Sequence, residues 1–193
     1  MKTCRFFFLC AVLLLAQLAP AWAQGKYMTK AGRVSFFSES IIENIEAQNQ
    51  QVAAVLDLTA AQLAFSVPIR GFVFKRTLMQ EHFNENYLES DKFPKATFSG
   101  KFVGLDAAAL ASPGSHTVQV EGDLTIHGVT RRVQVPAVLE LKNNQLQAAA
   151  SFPVAPADYN IEIPALVRNN IAKIVSVRVA LTCTPVAATA TTN

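Results

Sequence analysis

Residues 122–135, Gly-Asp-Leu-Thr-Ile-His-Gly-Val-Thr-Arg-Arg-Val-Gln-Val, alternate apolar and polar side chains on both sides of a His-Gly pair. One face of the first arm carries Val118, Val120, Leu124 and Ile126, and one face of the second carries Val133, Val135, Leu139 and Leu141. This period of two predicts antiparallel strands that are apolar on one side and solvated on the other. His127-Gly128 predicts a tight turn, because glycine adopts positive φ freely and histidine tolerates the left-handed region. The hairpin therefore restricts the chain to a sheet with one buried face.

Strand-like segments of this kind recur along the chain. They are residues 33–38, 51–58, 62–69, 96–105, 117–126, 130–141, 145–152 and 173–182. Short turns at Thr59-Ala60 and Asn143-Asn144 separate some of them. Many short strands favour a sandwich or a barrel, and consecutive hairpins without a long crossover favour a barrel, which has no exposed edges. We predict an all-β fold, an antiparallel up-and-down barrel of about eight strands.

One segment departs from the period of two. Between residues 78 and 88, Met79, Phe83, Asn86 and Tyr87 recur at intervals of three and four, which predicts an amphipathic helix. Because this helix stands alone in an all-β chain, we expect it to bury its apolar stripe against the barrel, with Met79 and Phe83 facing the ligand or the core. The irregular stretch 153–170 predicts a second, short helical turn near residues 165–169.

The N-terminal residues predict export. Lys2 and Arg5 precede an apolar run over residues 6–18, which is too short to span a bilayer, and Ala21-Trp22-Ala23 provides a small-x-small cleavage site. We predict a signal peptide over residues 1–23, cut before Gln24. The barrel domain is then expected over residues 24–184. A disordered tail rich in Thr and Ala is expected over residues 185–193.

Charge and cysteine content narrow the possible partners. Without residues 1–23 the chain keeps 15 basic and 14 acidic residues, a net charge of +1, and no basic cluster, so we predict no nucleic-acid partner. No other segment is long and apolar enough to predict an integral membrane span. Two of the three cysteines leave with the signal peptide. Cys183 then has no partner for an intramolecular disulfide, and we predict that it is buried as a small apolar side chain.

A second motif lies about twenty residues before the hairpin. It is Phe93-Pro-Lys-Ala-Thr-Phe-Ser-Gly-Lys-Phe-Val103. An aromatic-Pro-x-Ala-Thr-Phe strand followed by a Gly-Asp-Leu-Thr-x-His-Gly-Val-Thr hairpin resembles the YceI family, over roughly residues 32–183. The resemblance implies a lipocalin-like barrel with a helical insertion before the Phe-Pro strand. It also implies an exported bacterial protein, periplasmic or secreted, that binds a lipid or polyisoprenoid.

The sequence predicts no catalytic constellation. His127 belongs to a turn and His116 to a loop, and His82 shares a helix face with Glu85 and Asn86, a common arrangement on solvated helices. No Cys-x-x-Cys, phosphate-binding loop, His-Glu-x-x-His or nucleophile elbow is present. We therefore predict no catalytic residue, no metal site and no cofactor, and a protein that is not an enzyme.

Apolar residues at inward positions are the positive signal. We predict a lined barrel interior formed by Phe36, Leu63, Phe65, Phe72, Phe74, Met79, Phe83, Phe98, Phe102, Leu124, Ile126, Ala148 and Ala150. The residues alone leave open whether these side chains fill a solid core or line a cavity. Small residues at in-phase positions, Ala148 and Ala150 with Gly100 and Gly122, indicate unfilled volume, and the resemblance favours a cavity.

The leading hypothesis is an exported binding protein that holds a long apolar ligand as a carrier or sequestering protein. The expected partner is a polyisoprenoid, an isoprenoid quinone or a related lipid. Two rivals stand beside it. One is a solid-core barrel that acts through its surface as an envelope or stress interaction module, and the other is an enzyme that acts on a bound lipid.

Overall fold

A computed structural model describes residues 25–39, 44–164 and 172–186, and this part of the chain is dominated by strands. The strands are β1 (Lys26–Ser38), β2 (Ile45–Asp57), β3 (Gln62–Pro68), β4 (Val73–Phe74), β5 (Lys95–Val103), β6 (Ser115–Ile126), β7 (Val129–Lys142), β8 (Gln145–Val154) and β9 (Val175–Pro185). Helix α1 (Thr77–His82) continues into a π-helical turn (Phe83–Tyr87). Within the described ranges, 3-10 turns cover Ile69–Gly71, Ala109–Ala111 and Pro156–Tyr159.

The sheet closes on itself. The strand order is β1-β9-β8-β7-β6-β5-β3-β2, and β1 also pairs with β2. The two-residue β4 extends the row of β3 along the same side of β2. β2 pairs with β3 through residues 53–57 and with β4 through Ala47 and Gln48. Eight antiparallel positions result, and the predicted all-β up-and-down barrel is confirmed.

Two tight turns take the conformation that their residues predict. His127 and Gly128 have φ of 51° and 74°, and Asn143 and Asn144 have φ of 51° and 61°, the left-handed pairs of type I′ hairpins. A Cβ at position 128 would also lie 2.5 Å from the Phe93 ring, so both the positive φ and the nearby ring favour glycine there. The register follows from the turn, and Leu124 is buried while Asp123 is exposed.

Strands β1 and β2 begin earlier than predicted. β1 starts at Lys26. The sequence did not reveal its first residues, because irregular pairing between Thr29 and Val34 interrupts the period of two by which a strand is recognised. β2 starts at Ile45, and the first half of the strand is a polar run that hides it in the sequence. This run contains Asn49, which is fully buried. The Asn49 Nδ2 donates to the Pro68 carbonyl at 2.7 Å, and its Oδ1 accepts from the Gln51 N–H at 2.7 Å. This side chain therefore ties β2 to the end of β3.

The barrel has two unlike ends. The helix end carries α1, the β6–β7 turn and the connection from β8 to β9, and the turn end carries the β2–β3 and β7–β8 turns. Fully buried side chains pack near the turn end, among them Leu56, Leu139, Leu146 and Cys183. Burial raises the pKa of the Cys183 thiol to about 11, and the predicted burial of this cysteine is confirmed.

The inference from small in-phase residues was wrong for the glycines. A Cβ on Gly122 would lie 2.7 Å from the Phe98 ring, and a Cβ on Gly100 would also lie 2.7 Å from it. The ring covers both glycines, so the space that they leave is filled by an aromatic neighbour on the same strand as Gly100. Ala148 and Ala150 border only a small void.

Some predictions fall outside the described residues. They are the signal peptide over 1–23, the helical turn near 165–169 and the tail from residue 187 onward. At the other limit, β9 runs to Pro185, and the Val186 N–H donates to the Lys26 carbonyl at 2.9 Å. The first two residues of the predicted tail thus lie against β1. In the described ranges, no helix combines the length and apolarity that a bilayer crossing demands.

Candidate ligand cavity

A cavity of about 450 Å³ occupies the helix end of the barrel, and a void of about 50 Å³ lies deeper. Phe65, Leu124, Phe152 and Val179 line both spaces and separate them. The Phe65 ring stacks on Phe98 with centroids 5.1 Å apart. The interior is therefore hollow toward the helix end and filled toward the turn end. The sequence left open a lined cavity or a solid core, and the barrel has a cavity in one half and a solid core in the other.

The structure places all of the predicted lining residues on the interior, in two groups. The large cavity is lined by Phe36, Phe65, Phe72, Phe74, Met79, Phe83, Leu124 and Ile126. The others, Leu63, Phe98, Phe102, Ala148 and Ala150, border the small void instead. A period of two predicts which face of a strand is buried, but not how far along the barrel the packing stops.

Aromatic packing holds the helix on the barrel, together with a hydrogen bond in which the Gln80 Oε1 accepts the Phe74 N–H at 3.2 Å. Phe83 lies 5.4 Å from Phe72, 5.0 Å from Phe74 and 5.6 Å from Phe36, measured between ring centroids. Its carbonyl accepts the Leu88 N–H at 2.9 Å, five residues on, which is the hydrogen bond of a π turn. The helix predicted over residues 78–88 is thus present from Thr77, but it widens at Phe83.

Other cavity residues lie outside the predicted lining set. Val34, Val67, Val154, Val175 and Val177 line the large cavity at strand positions that the same period of two marks as inward. Pro156, Ile161 and Ile163 line it from the segment after β8, which has no periodicity to reveal them. Arg76 and His82 are polar and also line it. Alternation alone carries no signal for these last two groups.

His127 braces the helix end. Its Nδ1 lies 3.2 Å from the Tyr159 carbonyl oxygen and its Nε2 lies 3.0 Å from a Glu89 carboxylate oxygen. The ring also meets Phe93 edge to face, with centroids 4.5 Å apart. One side chain from the β6–β7 turn therefore joins the segment after the π turn to the 3-10 turn after β8.

Charged groups near His127 stabilise its hydrogen bond to Glu89. The pKa of the Glu89 carboxyl is held below its ordinary value, first by the hydrogen bond from Lys92 and then by that from His127. The Arg131 Nε donates to the Asp158 carbonyl at 2.8 Å, and burial raises the pKa of the neighbouring Tyr159. These contacts position loops around the cavity. Over the described ranges, no three of the His, Cys, Asp and Glu side chains cluster in a way that would hold a metal ion.

Solved structures share this architecture. A polyisoprenoid-binding domain from Saccharophagus degradans, implicated in plant cell wall breakdown, matches with a TM-score of 0.71 and 17% identity, over 84% of this chain and 99% of that one. BcnA from Burkholderia cenocepacia matches with a TM-score of 0.67 and 17% identity, over 78% and 95%. The YceI protein of Campylobacter jejuni matches with a TM-score of 0.55 and 16% identity, over 75% and 88%. At these identities the likeness shows the fold.

The sequence itself decides the family. No curated protein sequence matches the chain significantly. The profile of the YceI-like domain, however, matches residues 26–183, from the first residue of β1 into β9. The match spans the Phe-Pro strand, the His-Gly hairpin and every described residue that lines the cavity. The resemblance seen in the sequence is confirmed, and the chain belongs to the YceI-like family.

Proposed function

We propose that this protein is exported and holds a long apolar lipid, of the polyisoprenoid class, inside the helix end of its barrel as a carrier or sequestering protein. The proposal depends on one observation, the cavity of about 450 Å³ with its almost wholly apolar lining. The polyisoprenoid-binding domain from Saccharophagus degradans, which has the same fold, supports the ligand class. The predicted signal peptide supports a periplasmic or secreted location.

The cavity is large enough for a useful affinity. At about 30 Å³ for each water-sized group, it holds on the order of 15 non-hydrogen atoms, or roughly three isoprene units. Each buried CH₂ contributes about 0.8 kcal/mol, so such a chain gains about 12 kcal/mol before the costs of association. That gross gain equals the free energy of roughly nanomolar binding, and it sets the upper limit of the affinity because the costs of association are subtracted from it.

A space-filling substitution tests the proposal. Ala96 lines the cavity, whereas its neighbour Thr97 on β5 is exposed. Ala96→Phe should lower the lipid-to-protein ratio measured by native mass spectrometry and by organic extraction with lipid mass analysis. Thr97→Phe, the matched control, should keep the wild-type ratio. Ala96→Leu provides a smaller obstruction if the larger side chain overpacks the barrel.

Two results would contradict the proposal. One is wild-type protein that carries no lipid and takes up none when it is offered prenyl alcohols. The other is Ala96→Phe with an unchanged unfolding midpoint and a full lipid load, which would place any bound lipid outside this cavity.

A further inference from the structure

The inner end of the large cavity is closed by side chains from four strands. Both the large cavity and the small void are lined by Phe65 on β3, Leu124 on β6, Phe152 on β8 and Val179 on β9. In the closed order of eight strand positions, β3 lies four steps from β8 in either direction, so the two strands face each other across the barrel. The two aromatic side chains of this floor therefore reach into the interior from opposite walls.

The Phe65 ring is supported from the filled side. It stacks on the Phe98 ring with centroids 5.1 Å apart and an angle of 14° between the ring planes. Phe98 is buried, and its ring lies over Gly100 and Gly122, where a Cβ would come within 2.7 Å of it. Because protein interiors are close-packed, a ring supported in this way moves aside only if the groups beneath it move as well. The floor is therefore a fixed boundary of the cavity.

We propose that the Phe65 and Phe152 rings limit the isoprenoid chain inside the barrel to about three isoprene units. The inference rests on the proposed function and adds the chain length of the ligand to it. The cavity of about 450 Å³ holds about 15 carbon atoms at about 30 Å³ each, and the void of about 50 Å³ beyond the floor is too small for the five carbons of another unit. Further units remain outside the cavity and add little affinity, since this affinity follows the apolar area removed from water.

A series of prenyl alcohols tests this limit. Delipidated protein is loaded with the fluorescent probe N-phenyl-1-naphthylamine, which geraniol, farnesol or geranylgeraniol, with two, three and four isoprene units, then displaces. We expect farnesol to bind at least about tenfold more tightly than geraniol, whereas geranylgeraniol should bind less than about threefold more tightly than farnesol. Light scattering checks that each alcohol is used below the concentration at which it aggregates.

Two substitutions remove the floor from opposite walls. Phe65→Ala and Phe152→Ala each delete the six ring carbons of a phenylalanine, one more than an isoprene unit contains. In each variant geranylgeraniol should bind at least about tenfold more tightly than farnesol, while the step from geraniol to farnesol keeps its wild-type size. Phe102→Ala is the matched control, because Phe102 is buried and borders the small void but not the large cavity. It should lower the unfolding midpoint without changing either step.

Each adverse result has a definite meaning. Wild-type protein that binds geranylgeraniol more than about threefold more tightly than farnesol would overturn the length limit while the proposed function stands. Wild-type steps in both floor variants, with each variant shown to be folded by its unfolding midpoint, would overturn the role of the two rings. An equal change of step in Phe102→Ala would assign the effect to general loosening of the barrel and overturn that role as well. If a floor variant does not fold, the other variant and the wild-type series decide. Failure of all three alcohols to displace the probe or to bind would overturn the proposed function, and this inference with it.

Discussion

His127 shows how one side chain in a tight turn organises a whole end of the barrel. Each of its ring nitrogens faces an oxygen acceptor, the Tyr159 carbonyl on one side and the Glu89 carboxylate on the other. The carboxylate is stabilised in turn by Lys92 and by the ring, which lowers the pKa of Glu89. The brace is therefore a charged one, and its strength depends on pH.

Glu89→Gln tests this dependence. Because the pKa of Glu89 is lower in the folded than in the unfolded protein, its carboxylate contributes stability above the ordinary glutamate pKa of about 4.3, and this contribution is lost as the pH falls through the folded value. The difference in unfolding midpoint between wild type and Glu89→Gln should thus shrink between about pH 5 and pH 3. Glu85→Gln, at an exposed position nearby, is the control. A difference of the same size at both pH values would refute the argument.

Helix α1 and its π turn lie against the cavity, and aromatic packing is the main part of their attachment. The three rings around Phe83 come from β1, from the segment between β3 and β4, and from β4 itself. Leu78 on the same helix is 63% exposed and contributes little to this packing. Phe83 fastens this element at its C-terminal end, and the Gln80 Oε1 fastens the helix itself by accepting the Phe74 N–H at 3.2 Å. Arg76 and His82, which line the cavity, lie at the two ends of the helix.

Phe83→Ala should loosen this element. Deleting a partly buried ring costs about 2–3 kcal/mol in the free energy of unfolding, at the lower end for aromatic truncations. The lipid-to-protein ratio after purification should fall as well, since the helix no longer holds its place at the rim. Leu78→Ala should change stability by less than about 0.5 kcal/mol and keep the lipid load. If Phe83→Ala keeps both its stability and its lipid, the helix neither gates the cavity nor covers it.

At the scale of the whole molecule, the barrel interior is packed in one half and hollow in the other. The turn end is packed with buried leucines and the Cys183 thiol, and the helix end is left hollow. Phe98 stands at the boundary, because its ring stacks on Phe65 and covers Gly100 and Gly122. An open cavity of this size needs such a division, since the packing energy of the filled half has to hold the hollow half open.

Phe98→Ala should move this boundary. We expect a loss of about 3–5 kcal/mol in the free energy of unfolding, as for other buried aromatic truncations. The large cavity should also merge with the small void, so that the longest prenyl alcohol able to displace the fluorescent probe gains length. Val103→Ala, on the same strand but facing out, is the control. A loss of stability without any change in accepted chain length would show that the two spaces stay separate.

The sequence by itself determined what depends on neighbouring residues. Alternation in residues 122–135 predicted the hairpin and which side chains face inward, His127-Gly128 predicted its turn, and three- and four-residue spacing predicted the helix. These patterns follow from the backbone geometry of strands, turns and helices, which is local. Consecutive hairpins then predicted the barrel, which the pairing of β1 with β2 confirms, and the two motifs predicted the family, which the profile match confirms.

The tertiary structure alone decided where the barrel is hollow and what surrounds the opening. The Phe98 ring covers Gly100 and Gly122, His127 meets Glu89, and Arg76 and His82 reach the cavity, all through residues brought together by strand closure. Burial of Asn49 likewise depends on Pro68, nineteen positions along the chain. A period of two says which way a side chain points, but whether it meets another side chain or empty space depends on strands distant in sequence.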